Sequence, residues 1–161
     1  MTSQIQQFAK VAEQFIAWAE TAPQSSTNEV IRALQILSSL YQQALQLDVQ
    51  FQDSYPEPDD ISHEYRDNIF KRFGTLPFNY YSKCFDPHNV PDELPVIADV
   101  ADDLADIWFD LRKGLCLFSA GQVQAAGYEW QQSFWQHWGA HATGAINALH
   151  CWQAEHSGSA T

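Results

Sequence analysis

Two histidines and a run of aspartates have the side-chain types and spacing in this sequence to do chemistry. His137 and His141 stand four residues apart, a spacing that sets two imidazoles on one side of a helical turn, as metal-binding pairs require. Asp99, Asp103, Asp106 and Asp110 recur at three and four residues within DVADDLADIWFDLRKGLCLF, residues 99–118. At about 100° per residue of an α-helix they share an arc of roughly 60°. Like charges at these spacings repel by a few tenths of a kcal/mol per pair, so water, a basic neighbour or a metal ion must offset them.

Two accounts of these residues compete. In the plainer one, a histidine on an apolar face is a core residue whose ring nitrogens are satisfied by protein acceptors. A hydrogen bond from the last helix to Asp103 or Asp106 would then serve packing and offset the acidic stripe together. Arg66 fits the same account, because at about 100° per residue it falls between Phe70 and Phe73 on the apolar side of its helix. A guanidinium buried there needs a carboxylate, which the aspartate stripe can supply, although a long side chain can also reach out to solvent from a helix edge. In the sharper account the acids cradle a metal. Glu64 with Asp67, and Asp103 with Asp106, are pairs three apart on two helices, and such oxygen-rich pairs hold magnesium or manganese beside a diphosphate. All-α nucleoside triphosphate pyrophosphohydrolases work this way, but with glutamate pairs and a basic phosphate clamp, and here Asp67 is spaced to pair with Lys71.

Other motifs carry less. Asp102, Asp103 and Asp106 spell DDxxD, yet the chain is far too short for the terpenoid synthase fold that uses it. The sequence has no glycine-rich phosphate loop, no CxxC and no GxSxG. Ser133 lies near His137 without an orienting acid at matching spacing.

The elements that must position these groups are helical. Ile5, Phe8, Ala12, Phe15 and Ala19 predict an amphipathic helix over residues 3–20, closed by Pro23. Thr27 is placed to cap a second helix, running to about Leu47 on Val30, Leu34, Leu37, Tyr41 and Ala44. The acidic stretch 48–60 with Pro56 and Pro58 is a connection. Ile61, Tyr65, Ile69 and Phe73 mark a third, shorter helix. Residues 74–95, rich in proline and aromatics, form a long crossing packed over the bundle, unusual unless it covers or binds something.

Pro95 introduces the aspartate helix, with Asp99 as its cap, and Asp102 and Asp103 gain from the helix dipole at that end. Val100, Leu104, Ile107, Leu111, Leu115 and Phe118 form its core stripe, and Gly121 stops it. A last long helix spans residues 122–152 with Trp130, Phe134, Trp138, Ala145, Leu149 and Trp152 on one face. His141 falls in the middle of that face and His137 at its edge.

Bulk properties bound the rest. At 161 residues, 45% hydrophobic and 14% aromatic, the chain reads as one domain over 1–161. A net charge of -12 argues against nucleic acid and anionic membrane surfaces as partners. Cys84, Cys116 and Cys151 are odd in number and read as reduced buried thiols, which points to the cytoplasm. The opening MTSQIQQFAK is no export signal, and no stretch approaches the roughly eighteen apolar residues of a membrane span. The small residues of 139–148, with Trp135 and Tyr128 exposed, would allow self-association.

Three blocks in order, YRDNIFKRFGTLPFNYYSKCFDP, DVADDLADIWFDLRKGL and EWQQSFWQHWGAHATGAINALH, resemble the bacterial family catalogued as domain of unknown function 5063, over about Tyr65 to Trp152. The resemblance implies an intracellular all-α domain with no established activity. Through the matching blocks it draws attention to Arg66, Asp102, Asp103, Asp106, Trp130, His137, Trp138 and His141.

The expectation is therefore an all-α, up-and-down bundle of four long helices and one shorter helix, with an N-terminal pair over 3–47 and a family-like part over 61–154. Its function is read as non-catalytic, a domain that binds a protein partner and needs no cofactor, with Arg66, Asp103, Asp106, His137 and His141 as a buried network fixing helix register. The alternative is a magnesium- or manganese-dependent hydrolase of a phosphorylated small molecule or nucleotide, with Glu64, Asp67, Asp103 and Asp106 as ligands.

Overall fold

A computed structural model describes residues 2–91 and 93–159. Its helices are α1 Thr2–Ala19, α2 Ser26–Ala44, α3 His63–Phe73, α4 Val100–Ser119, α5 Val123–Ser133 and α6 Gly139–His156, and its strands are β1 Tyr80–Lys83 and β2 Val96–Asp99. A π-helical turn, Phe134–Trp138, joins α5 to α6 without a break. The molecule is thus all-α, with helices packed on one another and one small sheet. Successive rods run in opposite directions. His63 stacks on Phe109 while Arg66 reaches Asp106, which sets α3 antiparallel to α4; His141 meets Asp103 while His137 meets Asp110, which sets α4 antiparallel to the last rod.

α4 is the central element. Val100, Leu104, Ile107, Leu111 and Leu115 are buried as their spacing predicts, but so are Ala101, Ala105, Trp108, Leu117, Asp103 and Asp110. A helix apolar on most of its circumference belongs inside a bundle, and α4 packs against α1, α3, α5 and α6. The aspartate stripe is consequently not a solvated face, and its members must find partners in the protein. Asp99 caps the helix, accepting from the amide of Ala101 at 2.8 Å, and Gly121, at φ 81°, takes the left-handed conformation that ends it.

A second buried ion pair, with no mark in the spacing, ties α1, α2 and α3 together. Arg72 meets Glu29 at 2.5 Å and donates to the carbonyls of Thr21 and Trp18 at 3.0 and 3.2 Å, with its guanidinium over the rings of Trp18 and Phe73. Further along, the side-chain amide of Gln131 accepts from the amide of Val49 and donates to its carbonyl. That double bond pins the connection between α2 and α3 onto α5.

Several expectations need correction. The crossing 74–95 is the greater part of an antiparallel hairpin, with Tyr80 opposite Asp99 and Lys83 opposite Val96. α4 follows directly on β2 at Val100 rather than on Pro95. Pro87, Pro91 and Pro95, which lack an amide donor, lie outside the paired strand residues. Cys84 and Cys151 are exposed and Cys116 is half-buried. Tyr128 is half-buried, against Phe51 and Tyr55. Among the described residues Asp67 and Lys71 form no ion pair within 4.0 Å. α2 begins one residue before Thr27, whose side chain lies outside the described residues. The small residues of α6 are used within the chain: Ala142 and Ala145 are buried, and a Cβ on Gly144 would lie 2.5 Å from the Tyr81 hydroxyl. No described helix is long and apolar enough to cross a membrane.

Candidate functional site

α4 presents its aspartates to three neighbours at once. On the α3 side, Arg66 donates from Nε to Asp106 Oδ1 at 2.7 Å and from Nη2 to Asp102 Oδ1 at 2.6 Å. Burial opposes the guanidinium charge, and hydrogen bonds and attraction from both carboxylates overcome it, so the pKa of Arg66 is raised. From the hairpin, the Tyr81 hydroxyl donates to Asp103 Oδ2 at 2.5 Å. Burial first, then the hydrogen bond and charge of Asp103, push this phenol well up, so it stays a proton donor. On the α6 side, His141 Nδ1 lies 2.6 Å from Asp103 Oδ1, and His137 Nδ1 lies 2.6 Å from Asp110 Oδ2. Asp103 and Asp110 are only 3% and 5% exposed.

These contacts fix the two imidazoles. A carboxylate only accepts, so each ring keeps a proton on Nδ1 and turns Nε2 away from its aspartate. The two Nε2 atoms face each other at 3.3 Å, and His141 Nε2 lies 3.5 Å from Asp106 Oδ2. Asp106, His137 and His141 together offer three ligand atoms within 4.8 Å of one another, the one such group among the described residues. Burial lowers the basicity of His141, yet the hydrogen bond and charge of Asp103, with Asp106 behind it, leave its pKa raised.

The π turn helps to align the pair. Residues four apart on an α-helix drift by about 40° round the axis, so a row such as Trp130, Phe134, Trp138, Ala142 would slide off its face within three steps. An i to i+5 turn takes up an extra residue and winds that drift back. All four members of that row are buried, and His137, which sits in the turn, comes into line with His141 above α4.

His137 opens onto a cleft of about 640 Å³, lined also by Arg66, Asp106, Lys113 and Glu129. Burial raises the Glu129 pKa, opposed by Lys113 and reinforced by Asp110 and Glu57.

Six of the residues singled out in the sequence converge here: Arg66, Asp102, Asp103, Asp106, His137 and His141. Trp130 and Trp138 do not. Both are fully buried in the apolar core, their indole N–H groups on the carbonyls of Leu111 and Trp130. Glu64 is exposed and Asp67 lines the cleft, and neither joins the ligand group. The oxygen cradle of Glu64, Asp67, Asp103 and Asp106 is therefore not assembled, because Asp103 is turned to Tyr81 and His141. Ser133 donates to the Glu129 carbonyl within its own helix. Tyr81 was not foreseen at the site. The alternation of Tyr81 and Lys83 inward with Tyr80 and Ser82 outward is the signal that could have placed it.

Comparison with known proteins adds the following. No curated protein matches the chain. A solved structure, the crystal structure of protein BF1032 from Bacteroides fragilis, superposes with a TM-score of 0.76 over 91% of this chain and 90% of that one, at 21% sequence identity, which is a likeness of fold. The profile of a family described as a domain of unknown function matches residues 1–155. With nearly its whole length inside that match, the chain belongs to the DUF5063 family.

Proposed function

We propose that this chain is a non-catalytic interaction domain, in which the cluster of Arg66, Asp103, Asp106, His137 and His141, buried at Asp103 and open at His137, holds a partner-binding hairpin against the bundle. The observation that carries this reading is the outer side of the hairpin and its loop, where Tyr80, Phe85, Val90, Leu94 and Ile97 stand 66% to 81% exposed. Large apolar side chains gathered on one surface mark interaction sites. The inner side is anchored instead: Tyr81 on Asp103, Lys83 on the Ala140 carbonyl at 3.0 Å, and the Val100 amide on the Asn79 carbonyl at 2.8 Å.

A sheet of two strands leaves one outer edge on each, to which an extended chain can add by backbone hydrogen bonds. Charge selects the occupant. The hairpin and its loop carry Asp86, Glu93 and Asp99 and the chain as a whole carries -12, so the fitting partner is an extended, basic segment of another protein with apolar side chains at alternate positions.

The test is fluorescence anisotropy of a labelled synthetic peptide of alternating lysine and valine, against the wild type and Ile97→Glu. Because Ile97 is 81% exposed, the substitution leaves the fold intact, and binding should weaken about tenfold or more. No binding by the wild type, or equal binding by the variant, would overturn the reading. So would a dimer broken by Ile97→Glu with no affinity for the peptide, since the occupant would then be a second copy.

A further inference from the structure

We infer that His137 Nε2, His141 Nε2 and Asp106 Oδ2 form a coordination site for one first-row divalent transition-metal ion, open on its remaining side to the cleft beside α3, α4 and α5. The inference goes beyond the interaction reading: it shares the cluster that anchors the hairpin but does not depend on the exposed apolar face that carries that reading.

The first support is the facing of lone pairs. With both Nδ1 protons committed to Asp103 and Asp110, the two Nε2 atoms at 3.3 Å are both acceptors. In the neutral rings these two acceptors repel each other unless a cation, a proton or a metal ion, stands between them. A network that only fixed helix register has no use for that arrangement, since the contacts to Asp103 and Asp110 already tie α4 to the last rod.

The second is distance. Ligand atoms about 2.1 Å from an ion at a tetrahedral angle lie about 3.4 Å apart. Two of the three edges match, 3.3 Å between the two nitrogens and 3.5 Å from His141 Nε2 to Asp106 Oδ2, and all three ligand atoms lie within 4.8 Å of one another.

The third is the surrounding shell. Metal-bound histidines donate their other N–H to a carboxylate or carbonyl, which fixes tautomer and ring orientation. Asp103 and Asp110 do this for both rings, and Tyr81 in turn holds Asp103. Arg66 occupies Oδ1 of Asp106, so Oδ2 is left for an ion.

The fourth is charge. Among the described residues, Asp102, Asp103, Asp106 and Asp110 meet Arg66 and, at 3.9 Å, Lys113 as permanent cations, beside the imidazoles of His137 and His141, and a divalent ion balances the surplus. Two imidazoles and one carboxylate suit zinc, iron(II) or cobalt(II), whereas magnesium takes oxygen ligands. The His137 side chain is 49% exposed, which gives the ion a way in. Three protein ligands leave room for water or an anionic oxygen donor from the cleft.

Cobalt(II) absorption of the full, dialysed chain is the probe. One equivalent should bind with the visible bands of a nitrogen-liganded, low-coordinate ion, zinc should displace it, and a large excess of magnesium should not. In His137→Ala affinity should fall at least about a hundredfold, since loss of outer-shell support alone costs 10- to 100-fold. His150→Ala, on an exposed histidine outside the group, should bind as the wild type does. Should His137→Ala fold poorly, the wild type decides alone: its thermal midpoint must rise with cobalt or zinc and not with magnesium. Failure to bind one equivalent, undiminished binding by a folded His137→Ala, displacement by magnesium, or a midpoint that no transition metal moves would each overturn the site.

Discussion

Asp103 shows how much one buried residue can decide. Its oxygens are divided between Tyr81 on the hairpin and His141 on α6, so a single side chain sets the position of one element and the tautomer on another. Glu129, two turns before His137, has the opposite standing, because burial raises its pKa and only Lys113 opposes. A folded-state pKa above the unfolded value means that the folded chain binds this proton more tightly. The cost of the buried charge is therefore absent below the ordinary carboxyl value and present above the raised one. Glu129→Gln should be more stable than the wild type at neutral pH, and that advantage should shrink as pH falls through the raised pKa. Urea unfolding of both proteins across that range checks it, and an advantage independent of pH would show that the charge is not the cause.

Among the elements, the first three helices are held by a device separate from the cluster on α4. Arg72 and Glu29 are 10% and 6% exposed, and Arg72 also donates to the carbonyls of Trp18, in the last turn of α1, and Thr21, just past its end. Removing the arginine strands a buried carboxylate, so Arg72→Ala should cost about 3–5 kcal/mol in urea unfolding. Arg72→Lys should recover only part of this, because one ammonium cannot replace a fork that reaches Glu29, Thr21 and Trp18 together. Loss of less than 1 kcal/mol in the alanine variant would mean that Glu29 finds water instead. The π turn between α5 and α6 is the other device at this scale. It allows one continuous rod to keep both its tryptophan row and its histidine pair in line.

Over the whole molecule, the helices were legible because their apolar spacing is strong: Ile5, Phe8, Ala12, Phe15 and Ala19 are all fully buried. Arg66 on an apolar side and aspartates at three and four on α4 gave the cluster its main members, since a buried charge narrows its own choice of partner. The hairpin was not legible. Its strands are four residues each, prolines crowd the loop, and Tyr80 and Ile97 are apolar yet face outward. The burial of Asp103 and Asp110 was not legible either, because one helix read alone does not reveal that it is surrounded. Nothing local marks the π turn, which keeps long-range packing rather than local propensity satisfied.

All of this converges on the claim that the fold delivers two imidazoles with their Nε2 lone pairs facing. Long-range nitrogen–proton correlation spectra of the metal-free protein, at a pH well above the raised pKa of His141, report which ring nitrogen carries the proton. Both His137 and His141 should carry the Nδ1–H tautomer. An Nε2–H tautomer at either ring would contradict that claim.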